Sequence, residues 1–288
     1  MQPETIRWLD DMGILLQQPG FEHVPEVGWL AAYTFPTASG EALRIAADLS
    51  TLFFVIDNLV EASTSIDDIV KRNHDILRAM SGTSAARQDN AVRRALRDVG
   101  RRAEELGGGE WMACFLDQVG CWLGAQVWAL KNSRAPQSPP LDDYLTMRPF
   151  SSDAYFQFLF SELTDSYRLS PRERGDASVV RLAQMANHQI AWTQDILMLE
   201  QDLQHGNVNN LVLCLMRSLA LPLERALACA VEMHNHEVES FLCLERDLHA
   251  AGVLSPGVQR FVQALKNWMG GHLRWRVKSM CYGRGRPA

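Results

Sequence analysis

The stretch Gln194-Asp195-Ile196-Leu197-Met198-Leu199-Glu200-Gln201-Asp202 runs on into Leu203-Gln204-His205-Gly206-Asn207-Val208-Asn209-Asn210-Leu211-Val212. Within it Gln194, Met198 and Asp202 recur at a spacing of four. On an α-helix this lines three side chains along one face, with a drift of about 80° over the run. Such a row suits three groups converging on one ion. Gln194 offers an amide oxygen and Asp202 a carboxylate, both acceptable to a hard divalent cation, whereas the thioether of Met198 is soft and is not. On residue types alone the plainer reading is that Met198 packs in a core and that Gln194 and Asp202 are ordinary polar helix residues.

The chain around this stretch reads as helical almost throughout. Strand-type alternation is scarce, and apolar residues recur at helical spacing between turn signals, which predicts an all-α fold. Glu41 to about Glu61 is apolar enough for a helix buried on most sides. Further helices are expected over 66–80, 89–106, 110–130, 141–163, 176 to about 203, 210–219, 222–252 and 255 to about 280. Gly107-Gly108-Gly109 stops one of them, and 133–140, with three prolines, is a loop. A break is expected around Pro149-Phe150-Ser151-Ser152, because Pro149 cannot donate the bond that a continuous helix needs. The whole chain, 1–288, reads as one domain, with about 1–25 an N-terminal segment and 282–288 a basic tail.

With 288 residues, 47% of them hydrophobic, the chain can bury a substantial core. A net charge of −6 argues against a nucleic-acid binder, whose affinity rests on clustered Lys and Arg. The basic run Arg274-Trp275-Arg276-Val277-Lys278 reads as a solvated helix end. Cys114, Cys121, Cys214, Cys229, Cys243 and Cys281 lack metal-site spacing and read mostly as buried thiols of a reducing compartment. No window approaches the ~20 apolar residues of a membrane span, and the N-terminus has no secretion pattern, so a soluble cytoplasmic protein is expected. Oligomeric state stays open, a homodimer included.

Asp57 and Glu61 lie four apart at the end of the apolar run Phe53-Phe54-Val55-Ile56, hence on one helical face. Taken alone they mark a polar helix end. They also suit magnesium, which prefers carboxylate oxygens and can be held between protein and a diphosphate at the mouth of an apolar cavity.

Together these segments resemble bacterial class I terpene cyclases. In that family the second metal-binding segment reads Asn-Asp, then Ser four residues after the Asn and Glu four after that, followed by Gly-x-Val-x-Asn-Leu-Val. Here that last run is intact, and its Asn210 puts Gln194, Met198 and Asp202 in the Asn, Ser and Glu positions. Asp57 matches the first acid and Glu61 the last acid of the family's aspartate-rich motif, with Asn58 at its second Asp. Tyr144-Leu145-Thr146-Met147-Arg148 is similar to its pyrophosphate-sensor segment, Arg148 lying 46 residues before Gln194, and Ser152 falls near the effector position. The terminal Arg-Tyr pair of the family becomes Cys281-Tyr282, with Arg284 or Arg286 as substitutes from the tail.

The resemblance, from about Trp29 to Tyr282, implies a single-domain helical bundle around a central cavity. It implies an enzyme that ionises a prenyl diphosphate of sesqui- or diterpene class and cyclises the carbocation. Asp57, Glu61, Gln194 and Asp202 would bind magnesium, Arg148 and Ser152 would act in catalysis, and Arg148 and Tyr282 would hold diphosphate. Phe53, Phe54 and Trp192, each within about a turn of a motif residue, are expected to line the cavity; Phe156, Trp268 and Trp275 are further candidates. Two alternatives stand beside it: a non-catalytic relative that binds an isoprenoid or a protein, and a diterpene synthase acting on a pre-cyclised, copalyl-type diphosphate.

Overall fold

Fourteen α-helices and no strand make up the described residues of the protein. The computed structural model describes residues 2–14, 27–38, 40–61, 65–83, 90–135 and 137–283, with the backbone alone at 2, 27, 59–61 and 281–283. In chain order the helices are α1 (Gln2–Met12), α2 (Val27–Thr34), α3 (Gly40–Glu61), α4 (Ile66–Met80) and α5 (Ala91–Gly107). Then come α6 (Gly109–Ser133), α7 (Leu141–Ser151), α8 (Ala154–Thr164), α9 (Pro171–Arg174) and α10 (Ala177–Leu197). The last four are α11 (Leu199–His205), α12 (Leu211–Leu219), α13 (Leu223–Ala250) and α14 (Pro256–Gly283).

The main core is built around α3, whose Ile45, Ala46, Leu49, Leu52 and Ile56 are wholly buried, as its continuous apolar run requires. Asp48 is buried on the same helix and is neutralised by Arg44 Nε and Arg102 Nη2, each 2.9 Å from a carboxylate oxygen. A second, smaller core lies between α7, α10, α12 and α13, around Tyr144, Trp192, Leu211 and Leu215. Gly108, at φ 82°, separates α5 from α6 as a single hinge residue, in line with the triple-glycine stop.

Three helices were not foreseen: α1, α2 and the four-residue α9. Helix α1 falls in the N-terminal segment and buries Leu9 and most of Trp8, whose Nε1 donates to Asp98 Oδ2 at 2.9 Å. Helix α2 packs against α14 so closely that a Cβ on Gly271 would collide with the backbone of Tyr33 and Thr34. Lys278, on the same side of α14, sits with Nζ 3.5 Å from the ring centre of Trp29. The basic run at 274–278 is therefore not simply a solvated helix end.

The break expected around 149–152 falls at the far end of that stretch. Pro149 is accommodated in the last turn of α7, and the chain leaves helical geometry only at Ser152 (ψ 151°) and Asp153. Only Cys214 of the described cysteines is buried; Cys114 and Cys229 are half-buried, Cys121 and Cys243 are exposed, and Cys281 has no described side chain. All five described are free thiols. Among the described residues no helix is long and apolar enough to cross a membrane.

Candidate active site

One cavity of about 190 Å³ collects most of the residues singled out above. Asp57 and the aromatic rings of Phe53 and Phe54 enter it from α3, Arg148 and Ser151 from α7, Ser152 and Asp153 from the break, and Gln194 from α10. Helix α14 closes the far side with Trp268, His272, Trp275 and Arg276, and α2 adds Leu30.

The aromatic wall is a packed set rather than a row of loose rings. Phe53 meets Trp122 edge-on at 5.0 Å and rests on Phe156 at 4.7 Å. Phe54 meets Trp275 edge-on at 5.9 Å. Edge-to-face contacts fix ring orientation and leave π faces to neighbours or to a ligand. Phe156 stands behind Phe53 as support and does not line the cavity. Trp192 is a correction. It lies about 100° round the helix from Ala191 and about 160° from Gln194, both of which line the cavity, so it turns toward α13. There it stacks flat on His188 at 4.7 Å, inside the second core.

Arg148 is held by Asp195, the residue next to Gln194. Its Nη2 and Nε lie 2.7 and 3.2 Å from Asp195 Oδ1. The other carboxylate oxygen accepts the Tyr144 hydroxyl and, at 2.9 Å, the Leu211 N–H at the start of α12. Asp195 is 2% exposed, and this one carboxylate joins α7, α10 and α12. Burial works against the charged guanidinium, but Asp195 more than offsets it and holds the arginine above its ordinary range. One residue on from Gln194, Asp195 lies about 100° round the helix from the ligand row, and its partner on α7 could not be read from one helix.

The break after α7 is fixed from α10. Asn187 Nδ2 donates at 2.9 Å to the carbonyl of Pro149, and the Ser152 hydroxyl lies 2.7 Å from Asn187 Oδ1. Ser152 thus stands at the cavity with its backbone extended, at the position the family resemblance gave it. Asp153 beside it is pushed above the usual carboxylate range by burial.

The metal-ligand expectations divide. Asp57 accepts from Gln126 Nε2 at 2.6 Å and faces the cavity. Glu61 ends α3, but its side chain is outside the description. Gln194 Oε1 is buried with no hydrogen-bond partner, which is a costly state for an amide oxygen unless a ligand completes it. Asp202 does not reach the cavity. Its two oxygens take Asn207 Nδ2 at 3.0 Å and Asn210 Nδ2 at 2.8 Å, and burial raises its pKa. One methylene shorter than glutamate, it is satisfied by the N-cap of α12 instead. Met198 marks the single-residue break between α10 and α11, so the expected unbroken face ends there. A hard cation therefore fits the Asp57 and Gln194 oxygens and does not fit Met198 or, as it stands, Asp202.

Tyr282 lies in the last turn of α14 without a described side chain, and Arg284 and Arg286 are outside the described residues. The cation found at the cavity from this helix is Arg276, which the sequence reading passed over. The signal was present: Trp268, His272, Trp275 and Arg276 occupy positions i, i+4, i+7 and i+8 of one helical face.

The family model "Terpene synthase family 2, C-terminal metal binding" matches residues 48–240, and the chain belongs to the terpene synthase family, in its bacterial class I form. The chain is similar to a (+)-T-muurolol synthase, (2E,6E)-farnesyl diphosphate cyclizing, from Roseiflexus castenholzii. That likeness is 28% identity, over 96% of this chain and 87% of the relative. A germacrene A synthase of Nostoc punctiforme is 23% identical over 98% of this chain and 89% of its own. Among solved structures, germacradien-4-ol synthase from Streptomyces citricolor superposes with a TM-score of 0.83 at 21% identity, covering 96% of this chain and 94% of that one. An α-eudesmol synthase gives 0.82 at 19% identity, covering 96% and 93%, which shows the shared fold.

Proposed function

We propose that the protein ionises an acyclic prenyl diphosphate of sesquiterpene length, farnesyl diphosphate, with magnesium, and cyclises the resulting cation. The observation that carries this reading is that Asp57, Gln194 and Arg148 line one cavity together with Phe53, Phe54, Trp122, Trp268 and Trp275, with Gln194 Oε1 buried and without a hydrogen-bond partner. Asp57, Glu61 and Gln194 are the residues that would hold magnesium, which when bound neutralises the developing charge of the leaving diphosphate. Arg148, kept charged and oriented by Asp195, takes diphosphate oxygens with its guanidinium fork. Ser152 presents its hydroxyl and freed backbone beside it. Phe53, Phe54, Trp122 and Trp275 hold the cation against π faces and keep water away.

Arg276 supplies the diphosphate cation that Cys281 cannot. It lines the same cavity as Arg148, and the charges of both bear on His272. Charged hydrogen bonds contribute about 1.5–3 kcal/mol, so Arg276→Gln should lower kcat/KM for farnesyl diphosphate by about 10- to 100-fold. Steady-state kinetics of diphosphate release would measure this, and unchanged kinetics would remove Arg276 from the site. Gln194→Leu, which deletes the partnerless buried oxygen, should raise the magnesium concentration for half-maximal rate about tenfold. A magnesium titration of product formation checks it.

The reading itself is tested by incubating the protein with magnesium and, separately, geranyl, farnesyl, geranylgeranyl and copalyl diphosphates, with products read by gas chromatography and mass spectrometry. A discrete cyclic product from farnesyl diphosphate is expected. A product only from copalyl diphosphate would transfer the assignment to a pre-cyclised substrate, and none from any, with magnesium or manganese, would overturn catalysis.

A further inference from the structure

The reading above leaves one chemical task without a residue: the last carbocation must lose a proton to become a neutral product. Resting on that reading, we propose that His272 accepts this proton from carbon. The C–H bond next to the cationic centre breaks, its electron pair becomes the new C=C bond, and the proton passes to an imidazole nitrogen, leaving an alkene and an imidazolium.

The position of His272 carries the inference. It lines the cavity from the middle of α14 and is 7% exposed. Trp268 precedes it by one turn and Trp275 follows, with ring centres of His272 and Trp275 5.9 Å apart. Its Nδ1 is buried without a partner, and neither ring nitrogen makes a hydrogen bond among the described residues. A buried histidine of structural purpose normally spends at least one nitrogen on a partner, as His188 does with Glu237 at 2.7 Å. His272 instead keeps its lone pair available inside an aromatic chamber.

The other groups at this cavity are cations, weakly basic hydroxyls or carboxylates that already have a partner. Arg148 and Arg276 are cations, the hydroxyls of Ser151 and Ser152 are weak bases, and Ser152 is already engaged with Asn187. Asp57 belongs with the metal at the diphosphate end, and Asp153 receives Gln157 Nε2 at 3.3 Å. Burial, together with the charges of Arg276 and Arg148, pushes the His272 pKa down to about 3, so the ring is neutral before reaction. A weakened base is sufficient, because a carbocation with an adjacent C–H is a far stronger acid than imidazolium. The same two arginines face the diphosphate, whose negative charge offsets theirs and stabilises the imidazolium once it forms.

His272→Gln and His272→Phe, incubated with farnesyl diphosphate and magnesium, test this with two readouts, diphosphate release and product distribution. Ionisation does not need the imidazole, so diphosphate release should stay within about threefold of the parent. The share of the parent alkene should fall about tenfold or more, replaced by isomeric alkenes and water-capture alcohols. The Phe variant keeps a planar ring and carries the test if the Gln variant fails to fold, as judged by circular dichroism. An unchanged product distribution in either folded variant would overturn the proposal. So would a loss of diphosphate release with the product ratio intact, or a parent product that is solely an alcohol. A parent protein that releases no diphosphate from any substrate fails at the earlier step and overturns the functional reading itself.

Discussion

Asp57→Asn is expected to leave the protein folded and to cut magnesium-dependent diphosphate release by about a hundredfold or more, the scale on which deleting one charge-stabilising group acts in other active sites. The substitution is nearly isosteric, and an asparagine Oδ1 still accepts the 2.6 Å bond from Gln126 Nε2. What is lost is the carboxylate charge facing the cavity, which a hard cation requires. If Asp57 were only the polar end of α3, asparagine would serve as well as aspartate. Diphosphate release and the thermal midpoint measured on the same preparation separate the two cases. Unchanged turnover would mean that the metal is held elsewhere.

Asp195→Asn should act on both stability and activity. The carboxylate is 2% exposed and meets Arg148, Tyr144 and the Leu211 N–H together. Neutralising it leaves a nearly buried guanidinium without its counter-charge, and breaking such a pair from one side costs about 3–5 kcal/mol. For a domain of this size class the thermal midpoint should drop by about 6–20 °C. The double variant Asp195→Asn with Arg148→Gln removes both charges and should recover part of that loss while diphosphate release stays abolished. A midpoint that does not recover in the double variant would show that Asp195 acts through Tyr144 and α12 rather than through the arginine.

Most of the fold was legible because helical periodicity and turn residues are local signals. The eight-residue α2 and four-residue α9 lie near the short limit of such patterns, and α1 lies in a stretch with no motif to draw attention to it. The site was legible wherever a residue's role follows from its own helix: Asp57, Phe53, Phe54, Arg148, Ser152 and Gln194 do reach one cavity. It failed where the role depends on a neighbouring helix. Trp192 is close to Gln194 in sequence yet belongs to α13's side, and Asp202 finds the amides of α12 before any ion. Arg276 was overlooked because a basic run at a helix end reads as solvent-facing until the opposing α2 is placed, and His272, one turn before it, because a lone histidine carries no motif. Asp195 lies off the ligand row, and only the tertiary fold shows that it turns toward Arg148.

The tight seat of α2 on α14 at Gly271 separates what makes this chain recognisable from what would make its product its own. The family match covers 48–240, whereas Leu30, Trp268, His272 and Trp275 all lie outside it. Relatives can therefore share the segment that ionises a substrate and still differ in the mould that shapes the cation. Exchanging the α2 and α14 surfaces as a matched pair, with the small residue at the crossing retained, is the graft by which one member's product would be carried to another.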